Sequence, residues 1–300
     1  MGDDRRTVQT ADGRRLDVLV AGPRDGLPLV FHHGTPGGLI PMRPLITAAT
    51  ACGLRTVMYT RPGYGGSTAR PGRSVADAAD DVLAILDGLG SAEFVTAGWS
   101  GGGPHALACA ALLPGRCLAA ASVAGVAPYH ADGLAWSAGM GPENIEEFSA
   151  AGRGVAALTE FLERAAVELA GARAADVAEA LGGLVSPVDK AALTDEFAVF
   201  LADSFRAALT AGVAGWRDDD LAFVTGWGFA LDDIGAAAIW QGDQDRMVPH
   251  AHGAWLAANL PRARAHLLPG AGHLTLAVTG WAEILADLTD LAGLAAAGGT

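Results

Sequence analysis

The chain has 300 residues, 51% hydrophobic and 18% charged, which is enough apolar content for a sizeable core and excludes a disordered chain. Its formal net charge of −13 and pI near 4.9 argue against a nucleic-acid backbone as partner. Cys52, Cys109 and Cys117 are odd in number and lack C-x-x-C spacing, so neither a disulfide framework nor a zinc site is indicated.

The opening run Met1-Gly2-Asp3-Asp4-Arg5-Arg6-Thr7 is polar, and no apolar signal core follows it. A turn at Asp12-Gly13 precedes an early strand over 16–21, and a stronger apolar strand covers 28–33. That second strand runs into His32-His33-Gly34-Thr35-Pro36-Gly37-Gly38. A helix is predicted over 39–51 and stops at Gly53. The next strand, 54–59, leads into Arg61-Pro62-Gly63-Tyr64-Gly65-Gly66-Ser67. Ser74 reads as the N-cap of a helix over 75–89, with Asp77, Asp80 and Asp81 near its positive end. A buried strand over 93–97, a helix over 104–113 and a strand over 118–124 complete the first half. Such alternation predicts a mostly parallel sheet flanked by helices, an α/β class.

From 128 to 233 the pattern turns helical throughout, with apolar spacings such as Phe197-Phe200-Leu201-Phe205 broken at Gly171, Gly182-Gly183 and Ser186-Pro187. Strand character returns over 234–241, followed by a helix over 250–260, a strand over 264–268 and a helix over 274–294. The tail 295–300 is expected to fray. This organisation is a core, 1–126 and 235–300, interrupted by a helical cap insertion, 127–234. Hinges are expected near Ala127-Pro128 and Asp232-Asp233.

Chemistry concentrates in Gly98-Trp99-Ser100-Gly101-Gly102, a G-x-S-x-G match between a predicted strand and a predicted helix. Serine at a sharp strand–helix corner brings neighbouring backbone close, which accounts for glycine at 98 and 102. Pro104 suits the first helical turn, where its missing N–H costs nothing. A serine hydroxyl needs an imidazole to take its proton, and that imidazole needs a carboxylate to hold its tautomer. Asp245, in Gly242-Asp243-Gln244-Asp245-Arg246-Met247-Val248-Pro249, and His273, in Gly270-Ala271-Gly272-His273, each follow a predicted strand. Loops at the carboxyl edge of a parallel sheet share one crevice, so the three can meet. Asp243 is the rival acid but reads as a turn-forming residue. His32, His33, His105, His250, His252 and His266 read as structural or solvated. His130 opens the cap. No metal-ligand cluster and no dinucleotide fingerprint is present, so no cofactor is expected.

The chain resembles the α/β-hydrolase-fold proteins of the capped, serine-nucleophile kind. The residues that carry this are His33-Gly34-Thr35-Pro36, Arg61 to Ser67, the Ser100 corner, the acid loop from Gly242 to Pro249 and Gly272-His273. The resemblance implies Ser100 as nucleophile, Asp245 as acid and His273 as general base, with the N–H groups of Thr35 and Gly101 as an oxyanion hole. It implies an acyl-enzyme and, first among reactions, hydrolysis of a carboxylic ester. Epoxide hydrolases and haloalkane dehalogenases share the fold and cap but use an aspartate nucleophile.

His33 to Gly37 also resembles the H-G-G-P-G motif of proline iminopeptidases, whose elbow usually reads G-G-S-W-G; here Trp99 precedes the serine. Such a peptidase needs cap carboxylates. Glu143, Glu146 and Glu147 are available, although a solvated helix face explains them more simply. Lactone, thioester or carbon–carbon bond hydrolysis would use the same serine machinery, and a non-catalytic receptor is the alternative of a different class. Trp99, His130, Trp136, Met140, Trp216 and Trp227 are candidate pocket residues, with Phe148, Phe223 and Phe229 beside them. The expected partner is a small, largely apolar molecule rather than a nucleic acid or membrane. The protein is expected to be cytoplasmic, as a monomer or homodimer.

Overall fold

The computed structural model describes residues 3–260 and 262–294, so the expected fraying of 295–300 lies outside the described residues. Eight strands, β1 Asp4–Gln9, β2 Arg15–Ala21, β3 Leu27–His32, β4 Leu54–Tyr59, β5 Phe94–Trp99, β6 Cys117–Val123, β7 Ala237–Gly242 and β8 Ala263–Leu268, form one sheet. The spatial order is β1-β2-β4-β3-β5-β6-β7-β8. Pairing is parallel from β4 through β8 and antiparallel where β2 meets β1 and β4. The helices are α1 Arg43–Ala51, α2 Ala78–Leu89, α3 Gly103–Leu112, α4 Pro142–Arg153, α5 Val155–Gly171, α6 Val177–Ala180, α7 Pro187–Ala192, α8 Asp195–Ala208, α9 Ala214–Val224, α10 His250–Asn259, α11 His273–Thr279 and α12 Trp281–Leu291. The α/β class is as the sequence predicts, and α4 to α9 all lie between β6 and β7.

Burial follows strand position. Every residue of β5 and β7 is buried, as expected for central strands covered on both faces. At the edge, β1 keeps Asp4, Arg5 and Arg6 exposed, which is how natural sheets blunt an open edge. That charge is why the sequence does not announce β1 as a strand.

Three of the boundaries that shift have a local cause. Helix α1 begins at Arg43 rather than 39, because Pro41 drives the preceding residue out of the helical region while Pro44 is tolerated in the first turn. Ser74 does not cap α2. Its N–H and Oγ both donate to Asp77 Oδ2, at 2.6 and 3.1 Å, closing a turn ahead of a helix that starts at Ala78. The predicted helix over 274–294 is two helices broken at Gly280, which lets Trp281 turn inward to an edge contact with Phe31 at 5.5 Å.

The helical insertion is fastened to the core by one buried charge cluster. Asp219 on α9 receives Arg61 at 2.6 Å and Arg73 at 2.6 Å, all three side chains within 3% of full burial. Tyr64 Oη and Thr35 Oγ1 also donate to Asp219 Oδ2, at 2.7 and 2.9 Å. The approach is possible because Gly215 lies against the Tyr64 ring, where a Cβ would come within 2.7 Å. Burial alone would raise the Asp219 pKa; the two guanidinium groups outweigh it and hold the carboxyl well below the usual range. Removing one member of a buried cluster strands the others, at about 3–5 kcal/mol. Asp219→Ala is therefore expected to lower the urea unfolding free energy by about that amount. Asp203→Ala, which breaks an exposed pair with Arg206, should leave it nearly unchanged. Equal effects of the two would remove Asp219 as the fastening.

Candidate active site

At the end of β5 the chain reverses sharply. Ser100 has φ of 57°, in the left-handed region that a residue with a Cβ avoids, and it opens a 3₁₀ turn over Ser100–Gly102 that leads into α3. The glycine requirement is steric: a Cβ at Gly98 would strike the Gly102 carbonyl, and one at Gly102 the His32 carbonyl. Pro104 sits in the first turn of α3, as its missing N–H permits.

The parallel sheet brings the other predicted residues to the same edge. His273 opens α11 just after β8, and its Nδ1–H donates to Asp245 Oδ2 at 2.8 Å. The Asp245 carboxylate is fixed in turn by the N–H groups of Met247 and Val248, both at 2.8 Å to Oδ1, and by Gln241 Nε2 at 3.0 Å to Oδ2. Nδ1 is thus committed to Asp245, leaving Nε2 as the other ring nitrogen. Burial lowers the His273 pKa, but the charge and hydrogen bond of Asp245 and the charge of Asp189 outweigh it, so the net shift is upward. Trp99 lies 5.4 Å from the His273 ring between centroids, and its Nε1–H donates to the His273 carbonyl at 3.3 Å. Asp243 is not in this group: its Oδ1 accepts from Gly270 N at 2.8 Å in the turn after β8.

Thr35 and Gly101 are neighbours, since a Cβ at Gly101 would collide with the Thr35 hydroxyl. Thr35 Oγ1 donates to Asp219 and accepts from Arg61 Nη2 at 3.0 Å, which ties this loop to the buried cluster. His33 and His105 hold the same region. His33 Nδ1 bonds the Gly34 carbonyl at 2.6 Å and His105 Nδ1 the Gly101 carbonyl at 2.8 Å. Burial, aided by the Arg61 charge, pushes His105 down to about 3, so both rings serve as neutral braces.

Ser100, His273, Thr35 and Gly101 line one cavity of about 420 Å³. Trp99 and Trp216 also line it, and so do Phe148 and Phe223. Five candidate pocket residues, His130, Trp136, Met140, Trp227 and Phe229, stand elsewhere. His130 is exposed, edge-on to Tyr129 at 5.1 Å. Trp136 is packed behind the cavity wall, edge-on to Phe148 at 4.6 Å, with Nε1–H donating to the Ala127 carbonyl at 2.7 Å. His252 closes the same knot, accepting from Ala127 N at 3.0 Å and bonding the Trp136 carbonyl at 2.7 Å. The expected hinge at Ala127 is thus a braced point. Met140 is buried in the turns before α4, and Trp227 is buried against Phe229 at 5.7 Å. Helical or aromatic spacing marked these residues as buried; it did not say which side of the wall they face.

Two further groups escaped the sequence. Glu147 is not on a solvated face. It is buried, its Oε1 accepts from Trp216 Nε1 at 2.6 Å, and it lines the cavity beside Asp220. Asp220 is fully buried, and among the described residues neither of its carboxyl oxygens has a hydrogen-bond donor. Burial pushes both carboxyls up, and the Glu147 charge pushes Asp220 further, so the pair retains a proton above the carboxylate range. By contrast, Glu146 stays exposed, and Glu143 Oε1 accepts from Gly183 N at 2.9 Å. The second group is Asp189 on α7, whose carboxylate accepts the N–H groups of His273, Leu274 and Thr275 at 2.8–2.9 Å. Its only sequence signal is the Ser186-x-x-Asp189 spacing of a capping box. Among the described residues, no group of three His, Cys, Asp or Glu is placed to hold a metal ion, and no single helix is long and apolar enough to cross a membrane.

The carboxyl pair makes a prediction. An acid with a raised folded pKa binds more protons folded than unfolded, so stability falls as pH rises from the ordinary carboxylate range through the raised pKa. Asp220→Asn is expected to flatten that fall. Urea midpoints of the two proteins should converge at acid pH and diverge as pH rises, with the variant the more stable. Parallel curves would contradict the shared proton.

A family model described as the alpha/beta hydrolase fold matches residues 28–147. A non-heme chloroperoxidase of Streptomyces lividans is 35% identical over 147 residues, covering 48% of this chain and 53% of that protein. A bifunctional esterase/perhydrolase of Acinetobacter calcoaceticus is 35% identical over 97 residues, covering 32% of this chain and 35% of that one. The matched region thus spans about half the length of the first relative and about a third of the second. Among solved structures, an alpha/beta hydrolase fold protein from Nakamurella multipartita is 27% identical with a TM-score of 0.62, covering 99% of this chain and 100% of that one. An esterase from Rhodococcus sp. ECU1013 is 20% identical with a TM-score of 0.65, covering 97% and 99%, a likeness of fold.

Proposed function

We propose that this chain, which has the alpha/beta hydrolase fold, is a serine hydrolase cleaving carboxylic esters of small, largely apolar acyl compounds. The observation that carries this reading is the 2.8 Å His273–Asp245 contact beside Ser100 in one cavity. Ser100 Oγ attacks the ester carbonyl while His273 Nε2 takes its proton, and the charge of Asp245 stabilises the imidazolium so formed. The N–H groups of Gly101 and Thr35 face the oxyanion, whose charge develops only in the transition state. Collapse of the tetrahedral intermediate breaks the bond to the alkoxy oxygen, and His273 returns the proton to that leaving group. Water then attacks the acyl-enzyme as His273 takes its proton, and His273 returns that proton to Ser100 Oγ as the acyl–oxygen bond breaks and the acid leaves. The helices of the insertion act as a cap that shapes the acyl pocket and restricts water.

Glu147 and Asp220 favour a second reading, in which the acyl group carries an amine, as in a proline iminopeptidase-like enzyme. An ammonium in the cavity would replace the proton that the two buried carboxyls retain, and it would give Asp220 the donor it lacks.

A fluorophosphonate is expected to label Ser100, with the label mapped by peptide mass and lost in His273→Ala. Ser100→Ala is expected to lower kcat on p-nitrophenyl esters by about 10⁴- to 10⁶-fold. A loss below about tenfold would sink the mechanism, and absence of label on folded protein would favour a receptor. Turnover of proline p-nitroanilide above that of p-nitrophenyl esters would move the assignment to the amine-bearing class.

A further inference from the structure

We propose that Asp189 of the helical insertion is the positioning residue for His273, an inference that rests on the reading of His273 as general base. The first N–H groups of any helix have no partner within it, and α11 begins with the residue whose ring must meet Asp245. The N–H groups of its first three residues converge on one carboxylate. Asp189 Oδ2 accepts from His273 N at 2.9 Å, and Oδ1 accepts from Leu274 N at 2.8 Å and Thr275 N at 2.9 Å. Thr275 Oγ1 adds a bond at 3.0 Å to Oδ1, and Ser186 Oγ one at 2.9 Å to Oδ2. Asp189 is fully buried, and Gly272 is required beside it because a Cβ there would collide with the carboxylate.

This contact comes from a segment 84 residues away in sequence, outside the sheet that carries Ser100, Asp245 and His273. The main chain at His273 is therefore set by the insertion as well as by β8. A carboxylate with all its acceptor sites occupied by α11 and Ser186 is held still, so it fixes the pivot about which the imidazole points to Asp245 on one side and the serine on the other. The charged groups that face His273 are Asp245, from the loop after β7, and Asp189, from α7; the Trp99 ring covers another side. Asp189 thus does two things at once: its geometry orients the ring, and its charge favours the imidazolium that forms when the serine gives up its proton.

The two contributions separate in the full-length protein with a fluorophosphonate as the only probe, by following the rate of Ser100 labelling against pH. Asp189→Ala removes both and is expected to slow labelling by about 10- to 100-fold, the scale of a small misplacement of a reacting group. Asp189→Asn keeps one acceptor oxygen for Leu274 and Thr275 and should recover part of that rate. In both variants the acid limb of the profile should move to lower pH, because a neighbouring negative charge no longer raises the His273 pKa. A partly unfolded variant would lose rate equally at every pH and leave the limb in place. A wild type that labels on Ser100, with variants whose limb does not move and whose rate loss matches their loss of folded protein by circular dichroism, would overturn the role of Asp189 alone. A folded wild type that takes no label would overturn the general-base reading and this inference with it.

Discussion

Two guanidinium groups and one carboxylate meet out of reach of water where α9 crosses the turn after β4. Taking Asp219, Arg61 and Arg73 out of solvent is costly unless every donor and acceptor is met. Here the hydrogen bonds extend into the site. Arg61 also donates to the carbonyls of His33 and Gly34, at 2.6 and 3.2 Å, and Thr35 is held between Arg61 and Asp219. The loop facing Ser100 is thus shaped by a charge delivered from the insertion. A core without α9 would leave Arg61 and Arg73 buried and uncompensated, so the insertion is part of what makes the core sound.

Asp189 repeats the arrangement at a second loop. One carboxylate of the insertion ends the turn after β3, through Thr35, and another ends the turn before α11, through His273. Between them the insertion grips both loops that flank Ser100. Ala127, held by Trp136 and His252, is a third fixed point. Movement of the insertion as a rigid lid swinging at Ala127 would break buried ionic or charge-assisted hydrogen bonds at two places, so any opening of the cavity has to come from parts of the insertion beyond these anchors.

What could be read in the sequence follows from how local the cause is. Ser100 sits in a turn whose glycines are dictated by backbone collisions within a few residues, and Asp245 and His273 follow strands whose apolar runs are plain, so the elbow and the two loops were legible. The insertion's helices were legible as helices. Their carboxylates were not, because Asp189, Asp219 and Glu147 have the composition of any solvated helix face and the partners that fix their roles lie 69 to 184 residues away in other elements or loops. The aromatics failed for a related reason. Trp136 and Trp216 are both buried indoles with a bonded Nε1, yet one braces the chain at Ala127 and the other lines the cavity. Spacing reports burial, whereas the side of the wall is a property of the assembled helices.

The run Asp218-Asp219-Asp220 shows how strongly placement outweighs residue type. Successive residues of a helix point about 100° apart, so three equal side chains enter three environments. Asp218 pairs with Arg217 at 2.7 Å. Asp219 meets two arginines and is held ionised. Asp220 turns toward the cavity, meets Glu147 instead of a cation, and is pushed toward the neutral acid. The two neighbours shift in opposite directions because two guanidinium groups lie beside Asp219, while burial denies Asp220 the water that would stabilise its charge. The same helix therefore supplies a fixed anion to the core through Asp219 and a buried acid to the cavity wall through Asp220.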